Sequence, residues 1–109
     1  MNFDDFQKKV AETALYPGRG SDPTYPMIGL AGEVGEVAEH VKKALRDDGG
    51  VITPARREAL LYELSDVLWY VSALADEFGF SLNDVAEANV RKLAGRKARG
   101  TLQGSGSDR

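Results

Sequence analysis

An all-α, four-helix-bundle-like domain is predicted by three observations on the sequence. Apolar residues recur at intervals of three and four in four successive segments, the spacing of helices that bury one face. Gly- and Pro-rich breaks separate those segments, and nowhere do apolar and polar residues alternate long enough to read as a half-buried strand. At 109 residues the chain has room for one domain, not for two with separate cores.

Phe3, Phe6, Val10 and Ala14 define the first helix, over residues 2 to about 16, with Asn2 as N-cap and Asp4 and Asp5 in the first turn. Pro17 to Pro23 breaks the pattern and is a loop. The second helix is expected from about Tyr25 or Pro26 to Arg46, with an apolar stripe of Leu30, Val34, Val37, Val41, Ala44 and Leu45. Gly32 and Gly35 within it each cost roughly 1 kcal/mol relative to alanine. Close approach of another backbone or a ligand is the expected compensation. Asp47-Asp48-Gly49-Gly50 ends this helix, and Thr53-Pro54 starts the third as an N-cap followed by proline at the first helical position.

The third stripe comprises Leu60, Leu61, Leu64, Val67, Leu68, Val71, Ala75 and Phe78. Tyr62, Trp69 and Ala73 form a second face roughly opposite, which in so small a domain points to a subunit interface. Gly79 closes the helix. Ser81 then caps a fourth, reaching about Arg99, with Leu82, Val85, Ala86 and Leu93 on one face. Asn89 and Arg96 project from that same face and Lys92 from its edge. The helical domain is thus residues 1–99, and the Gly- and Ser-rich segment 100–109 is expected to be a disordered tail.

Composition removes several classes of chemistry. There is no cysteine, which excludes disulfides, thiolate catalysis and Cys-based zinc sites, and there is a single histidine, His40. No apolar run reaches the ~18 residues that span a bilayer. The opening residues lack the layout of a secretion signal, so a cytoplasmic protein without a membrane partner is expected. The net charge of −3 argues against a surface given over to binding a nucleic-acid polymer, and no aromatic platform is interleaved with the basic residues of the fourth helix.

Two carboxylate pairs stand out, Glu33 with Glu36 and Glu63 with Asp66, each three residues apart inside an apolar helical pattern. Residues at i and i+3 are neighbours on a helix surface. Glu33 falls on the shoulder of the second stripe and Glu36 about 60° further round, whereas Glu39 points away and reads as a solvated residue. Neither pair has a basic residue within its own turn, and clustered carboxylates repel unless a cation joins them. The pattern fits a divalent metal site, and it also fits solvated surface carboxylates. All-oxygen donors favour magnesium, with manganese as a substitute, and magnesium readily takes phosphate oxygens as further ligands. A four-helix di-iron site would want Glu-x-x-His pairs, but Val37 stands three residues before His40. Near such a cleft, Asn89, Lys92 and Arg96 suit phosphate partners better than snorkelling side chains, and Lys43 lies on the same side of the second helix.

The sequence resembles the MazG-like all-α nucleotide pyrophosphohydrolases. The resemblance rests on Gly29-Leu30-x-x-Glu33-x-Gly35-Glu36, on Glu63-Leu64-x-Asp66-Val67-Leu68-Trp69-Tyr70, and on Asn89-x-x-Lys92-Leu93-x-x-Arg96, and it covers roughly residues 3 to 99. It implies magnesium-dependent hydrolysis of a nucleoside or deoxynucleoside triphosphate to monophosphate and pyrophosphate, in nucleotide-pool sanitation, by a homodimer or homotetramer. Carried over by position, Glu33, Glu36, Glu63 and Asp66 are metal ligands; in the mechanism this suggests, Glu36 or Glu63 is the expected catalytic base. Tyr70 borders the substrate, and Asn89, Lys92 and Arg96 contact phosphates or sugar; Lys43 joins the substrate-binding candidates on its place in the second helix alone. Many members carry a second glutamate where this chain has Gly32. A phosphoribosyl-ATP pyrophosphatase-type substrate and a non-catalytic helical dimerisation module are the alternatives.

Overall fold

The computed structural model describes residues 1–109 as four helices without a strand: α1 (Phe3–Thr13), α2 (Thr24–Asp47), α3 (Pro54–Glu77) and α4 (Leu82–Arg99). Three of the four starts are the caps that the sequence indicates. Asn2 Oδ1 accepts from Asp5 N at 2.8 Å, Thr53 Oγ1 from Arg56 N at 3.2 Å, and Ser81 Oγ from Asp84 N at 3.0 Å. Each satisfies one of the orphan amides of a first turn. Helix α1 stops at Thr13, short of the expected residue 16. Tyr16 precedes Pro17, and the ring of a proline disfavours helical conformation in the residue before it.

Helices α2 and α3 form a long hairpin, and α1 and α4 pack on α3 and on each other without touching α2. The small core lies where α1 meets the C-terminal half of α3, with Val10, Ala14, Tyr16 and Ala73 buried and Phe6 and Trp69 packed against them. One side chain ties three elements together there. Gln7 Nε2 donates to Asp76 Oδ1 at 2.8 Å and to Phe80 O at 3.1 Å, while Gln7 Oε1 accepts from Leu82 N, the first amide of α4, at 2.9 Å. The loop between α1 and α2 is clasped by Glu77, the last residue of α3, which accepts from Tyr16 Oη at 2.5 Å and from Gly20 N at 3.0 Å.

Gly79 and Gly100, at φ 77° and 72°, close α3 and α4 in the left-handed region. Residues 100–109 contain neither helix nor strand and turn back over the end of α4, where Arg96 Nη2 donates to Ser107 O at 3.0 Å.

The face that α2 buries differs from the expected stripe. Val34, Val41 and Leu45 remain 52%, 42% and 69% exposed, and Leu61 and Leu64 on α3 remain 66% and 55% exposed. The hairpin interface instead takes Pro26, Gly29, Leu30, Glu33, Val37, His40 and Ala44, facing Leu60, Glu63, Val67 and Tyr70. Each helix has two faces that can bury, and periodicity fixes their spacing but not which one meets the partner within the chain.

The glycine that permits close approach is Gly29, not Gly32 or Gly35. A Cβ on Gly29 would overlap the Tyr70 ring, whereas at Gly32 and Gly35 it would meet nothing within 4 Å. Gly29→Ala is therefore expected to destabilise the fold by about 1–3 kcal/mol, the usual cost of forcing a methyl into a packed contact. Chemical denaturation compared with wild type reads this directly.

Candidate metal and nucleotide site

The antiparallel register of the hairpin sets Gly29 against Tyr70 and brings Glu33 beside Asp66 and Glu63. Carboxylate oxygens of Glu33, Glu63 and Asp66 all lie within 4.8 Å of one another. Glu33 and Glu63 are half-buried and Asp66 is exposed, so the cluster opens to solvent on one side. Burial holds the Glu33 carboxyl above its ordinary value. The negative charges of Asp66 and Glu63, a hydrogen bond shared with Glu63, and the charge of Glu36 act in the same direction.

No lysine or arginine pairs with Glu33, Glu36, Glu63 or Asp66; the sole basic group in contact is His40, 3.6 Å from Glu63. Three converging hard-oxygen donors without a protein cation to neutralise them fit a hard divalent cation. Glu36 is exposed one turn beyond Glu33 and outside the converging trio, though its charge is felt at Glu33.

Beside the trio lies an open cavity of about 240 Å³ lined by Glu33, Asp66, Trp69 and Tyr70. Its aromatic wall continues into the core. Tyr70 meets Trp69 edge-on with centroids 4.9 Å apart, Trp69 meets Tyr16 edge-on at 6.3 Å, and Tyr16 stacks on Tyr25 at 5.5 Å. Trp69 Nε1 donates to Thr13 Oγ1 at 2.8 Å, which fixes the indole. Burial, together with the neighbouring Tyr25 and Glu33, raises the Tyr70 phenol, so it stays a neutral donor at the cavity edge. Burial and the Glu77 carboxylate push Tyr16 up to about 12.

The remaining residues singled out in the sequence lie elsewhere in the single chain. No residue of α4 lines this cavity. Asn89 and Lys92 are exposed, and Arg96 is buried against the C-terminal turns. Lys43 is exposed and stands 3.9 Å from Glu39. Sequence reasoning missed two participants. His40 was set aside because it lacked a glutamate three residues before it, yet its contact with Glu63 runs between helices. Trp69 appears in the sequence as part of an interface face and of the resemblance motif, with no role at the site, although its position next to Tyr70 among carboxylates is an available signal.

A family model, the MazG nucleotide pyrophosphohydrolase domain, matches residues 23–100. The chain belongs to the MazG family. The matched MazG segment contains α2, α3 and α4, hence the whole carboxylate trio and its aromatic wall. The chain is also 46% identical over 114 aligned residues to the Gene 37 protein of Mycobacterium phage L5, with both chains covered in full. No solved structure gives a significant match. Family membership supports nucleotide pyrophosphohydrolase chemistry on an all-helical MazG domain. No helix is long and apolar enough to cross a membrane.

Because the Glu33 carboxyl is raised in the folded chain, its charged form opposes folding when no cation is present. That opposition is absent below the unfolded carboxylate value, near 4.5, and develops as pH rises through the folded one. In chelator-treated protein, Glu33→Gln should raise Tm at pH 7 by a few degrees, the scale of roughly 1 kcal/mol in a domain of this size. The gain should vanish as pH falls below the ordinary carboxylate range. Thermal melts across pH read both limbs.

Proposed function

We propose that this protein hydrolyses a nucleoside or deoxynucleoside triphosphate between its α- and β-phosphates, in a magnesium-dependent reaction that clears unwanted nucleotides from the pool. The observation that carries this reading is the convergence of Glu33, Glu63 and Asp66 beside an aromatic-walled cavity, inside the segment that matches the MazG family. Glu33, Glu63 and Asp66, joined by Glu36 on substrate binding, would hold the divalent ion. When bound, that ion supplies neutralisation of phosphate charge and lowers the pKa of the attacking water.

The chain's own groups do the rest. Glu36 or Glu63 accepts the proton of a water that attacks the α-phosphorus in line. The bond from that phosphorus to the bridging oxygen breaks, releasing pyrophosphate and leaving the monophosphate. Tyr70 borders the reacting region as a neutral donor, and the Trp69 ring offers an apolar surface beside it.

Asn89, Lys92, Arg96 and Lys43 are proposed as phosphate or sugar contacts. Lys92 and Arg96 would stabilise the charge that develops on the leaving pyrophosphate. Because no residue of α4 lines the cavity within one chain, the exposed Asn89 and Lys92 would reach the substrate from a second copy, and Arg96 would do so once released from its bond to Ser107. A homodimer or homotetramer is supported independently by burial. Only 10 of 109 residues are buried, and Val34, Val41, Leu61 and Leu64 form an exposed apolar flank on the α2–α3 hairpin. An apolar face of this kind on a soluble domain marks an association surface.

Purified protein with magnesium is expected to release pyrophosphate from at least one member of a panel of standard and modified triphosphates, and Glu63→Ala or Asp66→Ala should reduce that release to background. Folded wild type inert on the whole panel would favour the interaction-module reading. In sedimentation or light-scattering measurements the wild type should run as a dimer or tetramer. Leu64→Lys, which places a charge in the exposed flank, should shift it toward monomer.

A further inference from the structure

His40 is the chain's one histidine, and it lies on α2 about one turn beyond Glu36. Its Nε2 stands 3.6 Å from Oε1 of Glu63 on α3, with the two side chains 25% and 22% exposed. The other ring nitrogen, Nδ1, is buried without a hydrogen-bond partner. The ring is therefore oriented by packing and by the Glu63 carboxylate, not by a bond at Nδ1. A neutral imidazole carries one N–H. On Nε2 that proton faces the carboxylate and leaves only a lone pair at the buried Nδ1. The other tautomer would aim a lone pair at a negative charge and bury an unpaired N–H, which is unfavourable on both counts. The 3.6 Å separation exceeds a hydrogen bond, and a small side-chain rotation closes it.

His40 does not belong to the converging ligand set, whose atoms come from Glu33, Glu63 and Asp66 alone. It stands behind one member of that set. Carboxylates that bind metals are commonly fixed by a donor to one oxygen, which turns the other toward the ion.

We propose that His40 is a positioning residue for Glu63, its Nε2–H holding Oε1 so that the remaining oxygen is presented to the divalent ion. This rests on the metal-site reading above. It assigns a role to a residue outside the paired-carboxylate pattern and separates Glu63 from Glu33 and Asp66, which have no such partner.

The test uses the full chain, stripped with chelator and titrated with Mn²⁺ by calorimetry, so that metal binding is read without turnover. His40→Leu, with its fold verified by circular dichroism, should weaken Mn²⁺ binding about 10–100-fold, the usual effect of removing a partner behind a ligand. His40→Gln, which retains an N–H donor, should recover most of that loss. Because His40 is the sole histidine, its ring signals are unambiguous in ¹H–¹⁵N spectra of the wild type. Nε2 should carry the proton, and its resonance should move with Mg²⁺ along the binding isotherm. This second measurement decides the matter if His40→Leu does not fold.

A folded His40→Leu with wild-type Mn²⁺ affinity, or ring signals indifferent to Mg²⁺, overturns the role of His40. The Glu63→Ala control separates the two levels. If that variant binds Mn²⁺ weakly while His40→Leu binds normally, the metal site stands and only the positioning role falls. If Glu63→Ala also binds normally, the site and the positioning role fall together.

Discussion

Mutual repulsion among carboxylates inside a helix–helix interface is the constraint on which the rest of this molecule depends. Glu33 and Glu63 lie on the faces that α2 and α3 turn toward each other, with Asp66 at the rim, and no lysine or arginine neutralises them. Their repulsion opposes the apolar packing of Leu30, Val37, Leu60 and Val67 around them. Contacts at its two ends add to that packing. Pro26 and the Gly29–Tyr70 contact secure one end, and Ala44 with the Arg56–Asp48 ion pair at 2.6 Å secures the other.

The α1–α3–α4 junction supplies a platform beside the hairpin. The core of Val10, Ala14, Tyr16 and Ala73 is small, yet it is reinforced by directional bonds: Gln7 to α3 and α4, Glu77 to the loop, and Trp69 to Thr13. Through Trp69 this platform reaches the cavity, since Trp69 touches Tyr16 on the core side and Tyr70 on the carboxylate side. A site whose charged members repel one another needs that kind of rigid neighbour, because flexible carboxylates would separate.

The sequence carries the fold at high resolution where local chemistry decides it. Asn2, Thr53 and Ser81 are caps because their oxygens reach the amide three residues on, and Gly79 and Gly100 end helices because they accept a left-handed backbone. What was not legible is phase and pairing across helices. Val34 and Val41 share the spacing of Val37, and only the partner helix determines that Val37 turns inward while they stay exposed. The same limit hid His40, whose neighbour Glu63 is distant in sequence, and directed attention to Gly32 and Gly35 when the close approach is at Gly29. For the candidate site, the i, i+3 spacing indicated Glu33, Glu36, Glu63 and Asp66, and of these Glu36 lies outside the converging trio. The relation of α4 to them was not legible in the same way, because α4 packs on α3 yet sends no residue to the cavity beside the trio.

The most direct measurement is anomalous diffraction at the manganese edge from crystals of the protein soaked in Mn²⁺. A single strong site at coordination distance from Glu33, Glu63 and Asp66, lost in crystals of Asp66→Asn, is the result this account predicts. Manganese bound elsewhere, with the three carboxylates splayed apart or paired with lysine or arginine side chains, would contradict it.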